Sequence, residues 1–105
     1  MDTDLTVVRI YLTEAEQGRH KSLIHEVLTL LHDKHRLKQV TVFRGIAGTG
    51  ERGGESRAAD VLRVLVDLPL IVEFFDEPAV VEAVLPILKQ MIPNGRFLSW
   101  SASIR

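Results

Sequence analysis

Cysteine is absent from this chain of 105 residues. That excludes a disulfide scaffold, a thiol nucleophile and every cysteine-ligated zinc or iron–sulfur centre. An excess of charge of one sign is also missing: 13 Lys and Arg stand against 14 Asp and Glu, a formal net charge of −1. Such a balance gives no basic field of the kind that binds nucleic acid. No uninterrupted apolar run approaches the roughly 20 residues that a bilayer span requires. The opening MDTDLTVV has no basic region ahead of a long apolar stretch, so it does not read as a signal peptide. A soluble, cytoplasmic protein is the expectation. Repeats of solenoid type and low-complexity tracts are lacking as well. The length suits about one domain, expected to span 1–105, with room for a single core but no wide margin.

What is present is a clear alternation of elements. Leu5 to Leu12 alternates as a strand, with Thr6, Val8, Ile10 and Leu12 on one face and Leu5, Val7, Arg9 and Tyr11 on the other. A polar connection over 13–18 leads into a helix expected over Arg19 to about Arg36. Its apolar stripe is Leu23, Ile24, Val27, Leu28, Leu30 and Leu31. Lys34, His35 and Arg36 suit the negative end of its dipole. Val40 to Arg44 reads as a second strand, rich in β-branched and aromatic residues. Ala58 to Val66 fits a strand arm or a short helix. Leu70 to Phe75 is a strand, apolar on both faces except at Glu73. Asp76 is expected to cap a helix running to about Ile92, with Glu77 and Pro78 in its first turn. Val80, Val81, Val84, Leu85, Ile87, Leu88 and Met91 form its expected buried side. Pro86 lies inside it and predicts a kink or two shorter helices. Pro93, Asn94 and Gly95 turn the chain into a last strand, Phe97 to Ile104.

The order β-α-β-β-α-β is that of an α+β, ferredoxin-like antiparallel sheet with two helices on one face. In a monomer the other face should be polar. Here Val7, Tyr11, Ile71 and Phe75 fall on it, which predicts a cover, most simply a second copy of the chain.

Leu37 to Arg57 concentrates the chemistry. Gly45, Gly48, Gly50, Gly53 and Gly54 fall within ten residues, with Arg44, Arg52 and Arg57 in or beside the run. A loop of this composition presents bare N–H groups to an anion, and three guanidinium groups make a candidate phosphate clamp. Solvated loop charge, offset by Glu51 and Glu55, is the plain alternative. The run from Gly48 to Gly53 fits G-x-G-x-x-G, but no convincing helix follows it, and the chain is too short for a doubly wound sheet. No Gly-Lys-Ser/Thr closes it as a Walker loop.

Other groups carry less. His20, His25, His32 and His35 sit on the first helix, and His32 and His35 have a chelating i, i+3 spacing. They lack an evident third ligand, so exposed helix histidines are the simpler reading, and no metal site is assigned. Glu73 could act as an acid or base in mid-strand. A pairing across the sheet face, with Arg9 as candidate partner, explains it more simply. No paired carboxylates or serine–histidine–acid order appear.

The run Val40 to Gly50, containing T-V-x-R-G-I-x-G-x-G, resembles the uncharacterised PII-like family. Arg9 to Leu12 before it, Asp67 to Phe74 after it, and Leu85 to Leu88 around Pro86 share that resemblance. More distantly the chain is similar to the nitrogen-regulatory PII proteins. The resemblance implies a ferredoxin-like fold and a homotrimer with sheets around the threefold axis and clefts between subunits. It makes Gly45 to about Arg57 the equivalent of the T-loop, which reports bound adenine nucleotide to a membrane transporter or an enzyme, and it suggests a membrane transporter or channel as the partner. It makes Asn94, Gly95 and Arg96 the match to the phosphate-holding B-loop, shortened because Ile92 and Pro93 replace its upstream glycines. The loop lacks the tyrosine that some PII proteins have uridylylated.

The resulting expectation is a non-enzymatic, PII-like signalling protein with no required cofactor. Its effector would be phosphate-bearing, of the adenine nucleotide class. The site residues would be Arg44, Gly45, Gly48, Gly50, Arg52, Arg57, Asn94, Gly95 and Arg96. Two other readings remain: a small ferredoxin-like enzyme with Glu73 or a histidine as base, and a metal-tolerance trimer.

Overall fold

The computed structural model describes residues 3–13, 23–45, 69–93 and 95–105. The strands are β1 (Thr3–Thr13), β2 (Gln39–Arg44), β3 (Pro69–Asp76) and β4 (Phe97–Ile104). They form one antiparallel sheet in the order β2-β3-β1-β4. The helices are α1 (Leu23–Leu28), continued by a π-helical segment (Thr29–Lys34), and α2 (Pro78–Met91). This is the ferredoxin-like order, with β3 inserted between the two strands that α1 connects. The expected start of the first helix over 19–22, the connection over 14–18 and the segment 58–66 lie outside the described residues.

Both helices cover one face. Val8, Ile10 and Leu12 from β1 and Leu70, Val72 and Phe74 from β3 meet Val27, Leu30 and Leu31 from the first helix. Val81, Val84 and Leu88 from α2 complete the same core. These are the positions that strand alternation and helical spacing select. Ile87, expected on the buried side of α2, faces solvent instead. Val84 and Leu88 define the buried line, and Ile87 falls beside it.

Three local features differ from the expectation. The first helix widens after Leu28: His35 N–H donates to Leu30 C=O at 3.1 Å, five residues back. Arg36 then takes the left-handed conformation at φ 49°, and Leu37 N–H closes the end on Leu31 C=O at 2.9 Å. This lets Leu37 turn back into the core. Second, α2 runs through Pro86 as one helix, which overturns the alternative of two shorter helices. Third, its N-cap is Glu77, with Pro78 at the first helical position. Pro prefers that position because its missing N–H is unpaired there anyway.

Asp76 ends β3 and is buried. Its Oδ1 accepts Glu77 N–H at 2.7 Å and its Oδ2 accepts Lys38 N–H at 2.9 Å. One carboxylate thus joins the entry to β2 to the entry to α2. Among the described residues, no helix is long and apolar enough to cross a membrane.

Candidate functional site

The strand ends that carry the expected anion-binding residues lie at one end of the sheet. Arg44 stands opposite Leu70, and Leu70 opposite Leu12. One row inward, Tyr11 N–H donates to Arg96 C=O at 2.9 Å, just before β4 begins. The Arg96 guanidinium returns the contact, donating from Nη1 to Tyr11 C=O at 3.2 Å. Arg96 is therefore tied to the end of β1. Gly95 beside it has φ +87°, a conformation that suits glycine and strains any side chain.

Gly45 continues β2 by one hydrogen bond. Its N–H donates to Pro69 C=O at 2.8 Å. A Cβ at Gly45 would collide with Cγ of the Pro69 ring. Glycine is needed here for this close approach, quite apart from any ligand.

Arg44 and Arg96 share this end but not a neighbourhood. β2 and β4 are the two edges of the sheet. Three inter-strand spacings, about 14 Å, separate them. Copies arranged with their open sheet faces towards a common axis would set the Arg44 edge of one beside the Arg96 edge of the next. Gly48, Gly50, Arg52, Arg57 and Asn94 lie outside the described residues.

Glu73 is placed by its partner. Arg9 donates to its Oε1 from Nε at 3.0 Å and from Nη2 at 2.6 Å. Register pairs the two residues directly across β1 and β3. The hydrogen bond to Glu73 raises the Arg9 guanidinium above its ordinary range, with a smaller contribution from Tyr11, so the cation persists at any working pH. The pairing across the sheet face, the simpler of the two readings, accounts for the placement of Glu73. Trp100 adds to the cluster, its ring centroid 5.3 Å from Arg9 Cζ. Sequence reading anticipated the ion pair but not the tryptophan. Trp100 stands opposite Val7, diagonal to Arg9, and that diagonal depends on a register no composition reveals.

The histidines do not converge. His25 and His32 are exposed and His35 is half-buried. His32 Nδ1 lies 2.9 Å from Asp33 Oδ1. Among the described residues, no group of three metal-ligating side chains forms. His20 lies outside them.

Known proteins share this architecture. Residues 5–104 match the DUF190 family, described as Uncharacterized ACR. UPF0166 protein MJ1524 of Methanocaldococcus jannaschii is 31% identical over 89 residues, which cover 85% of this chain and 80% of that protein. CPII from Thiomonas intermedia, solved bound to ADP and bicarbonate, superposes with a TM-score of 0.58 at 18% identity, covering 99% of this chain and 89% of that one. A putative PII-like signaling protein from Thermus thermophilus gives 0.50 at 17% identity, covering 98% and 89%. At those identities the likeness shows the fold. The fold is that of these PII-like proteins, and because the family match spans the sheet, both helices and both arginine-bearing strand ends, the chain belongs to the DUF190 family.

Proposed function

We propose that this chain is a PII-like regulatory protein that binds an adenine nucleotide in clefts between the subunits of a homotrimer. The observation that carries the reading is the division of the site. Arg44 and Gly45 end one edge strand, Gly95 and Arg96 precede the other, and all four lie at the same end of the sheet. In the proposed assembly, charge for a phosphate group is supplied by two chains, the Arg44 end of one and the Arg96 end of its neighbour. Arginine gives bidentate, charge-assisted hydrogen bonds to phosphate oxygens. Arg96 is already oriented by the Tyr11 carbonyl. The PII-like fold of CPII, solved with ADP, supports the ligand class.

The segment after Gly45, to about Arg57, is the proposed reporter. Gly48, Gly50, Arg52 and Arg57 would meet the phosphates, and Asn94 would join Gly95 and Arg96. A ligand with different affinity for two arrangements of this segment changes the population presented to a partner. The proposed partner is a membrane transporter or channel. No catalytic role is assigned.

Isothermal calorimetry against ATP, ADP, AMP, cyclic AMP and cyclic di-AMP tests the reading. One of them should bind at about one per chain. Arg44→Ala and Arg96→Ala should each weaken it at least about tenfold, the equivalent of one lost charge-assisted contact. Unchanged affinity in both variants would overturn the assignment.

A further inference from the structure

The face of the sheet that the helices leave uncovered has its own organisation. Leu5, Val7, Arg9 and Tyr11 of β1 line it with Thr41 and Phe43 of β2. Ile71, Glu73 and Phe75 of β3 and Leu98, Trp100 and Ile104 of β4 complete it. Tyr11, Phe43, Leu98, Trp100 and Ile104 remain exposed, Leu98 by 52%. At about 200 Å² per large side chain, those five leave on the order of 400 Å² of mainly apolar surface, in the size range of patches that are often functional.

Charge in this face is confined to one place. Arg9 and Glu73 lie on the two central strands and neutralise each other. Among the strand residues described on this face they are the only charged ones. A partner of opposite charge therefore has nothing to recognise. A surface that is apolar around a self-neutralised pair suits another surface of the same kind, and the chain itself supplies one.

The pair is incompletely satisfied. Both hydrogen bonds from Arg9 land on Oε1 of Glu73. Among the described residues, Oε2 receives none. The side chains are 34% and 22% exposed, so water reaches them in the single chain. When a second apolar face removes that water, Oε2 needs a donor from across the interface. The same face offers two: the hydroxyl of Tyr11 and the indole N–H of Trp100.

We infer that the Arg9–Glu73 pair, stacked on Trp100, sets the register in which copies of this chain associate through their open sheet faces, with Glu73 Oε2 taking a hydrogen bond from the neighbouring copy. The inference rests on the homotrimer proposed above. Apolar surfaces alone allow many sliding registers. A buried ion pair permits only those in which its remaining acceptor is satisfied, the attested use of such pairs.

The test is native mass spectrometry and light scattering of the full chain, at a concentration where the wild type is assembled. Arg9→Met and Glu73→Met each leave one charge unpaired in an apolar interface, and each should dissociate to folded monomers. The double variant Arg9→Met/Glu73→Met removes both charges and should reassemble, with a broadened distribution of stoichiometries because the register pin is gone. Should a methionine single variant fail to fold, Glu73→Gln keeps the shape and should raise the dissociation constant at least about tenfold. Single variants that stay assembled as the wild type does would overturn the inference, as would a double variant that stays monomeric. A wild type that is itself monomeric would instead overturn the assembly reading beneath it.

Discussion

Replacing Asp76 by alanine removes the carboxylate that joins the entry to β2 to the entry to α2. Asp76 is 6% exposed and accepts two main-chain N–H groups, Lys38 at 2.9 Å and Glu77 at 2.7 Å. A hydrogen bond to a charged group contributes about 1.5–3 kcal/mol. The residues that donate both bonds are exposed, so water can partly replace the lost acceptor, and the low end applies. Asp76→Ala should therefore destabilise the chain by about 3 kcal/mol, a large share of the roughly 5–15 kcal/mol typical of a domain. Asp76→Asn keeps one acceptor oxygen and turns an amide NH2 towards the other donor. Its expected cost is at least about 1.5 kcal/mol, below that of alanine. Urea unfolding of both variants and the wild type, at equal chain concentration, measures the difference as a shift in midpoint with unchanged slope. Asp76→Ala within about 0.5 kcal/mol of wild type, the range of ordinary surface substitutions, would refute the reasoning. So would an asparagine variant as unstable as the alanine one.

Two further substitutions probe the backbone. Gly45→Ala drives a methyl group into the Pro69 ring and strains the Gly45–Pro69 hydrogen bond. It should cost about 1–3 kcal/mol, as overpacking does, and an unchanged urea midpoint would contradict that. Pro86→Ala restores an N–H to the interior of α2 at an exposed position. Proline is about 3 kcal/mol less favourable than alanine there, so the thermal midpoint should rise, and a fall would show that Pro86 fits its helix better than propensity implies.

Much of the fold was legible because its signals are short-range. β4 begins and ends at the residues its alternation marks, Phe97 and Ile104. The apolar open face and the Arg9–Glu73 pairing also follow from period-two alternation once β1 and β3 are neighbours. The π-helical widening was not legible. Its hydrogen bonds reach five residues back instead of four, and the stripe from Leu23 to Leu31 looks the same under either spacing. The cap of α2 was misplaced by one residue. Asp76 carries the preferred cap chemistry, but it is still paired with Thr6 in the sheet, so Glu77 takes the position.

The sequence nominates residues for the proposed site and not their arrangement. Arg44 and Gly45 stand out by composition, Gly95 and Arg96 by the family resemblance. Their placement on opposite edges depends on the order β2-β3-β1-β4, which no local signal encodes. That arrangement suits a proposed phosphate site in the clefts between chains, which the family resemblance implies. Under the proposed function, assembly is then a precondition for binding.

Native mass spectrometry of the wild-type chain, with and without ADP, addresses the shared-site claim in one measurement. A trimer that takes up one ADP per chain, beside monomers that take up none, is the expected result. A monomer that binds ADP, or a well-formed trimer that takes up neither ADP nor any other adenine nucleotide, would contradict it.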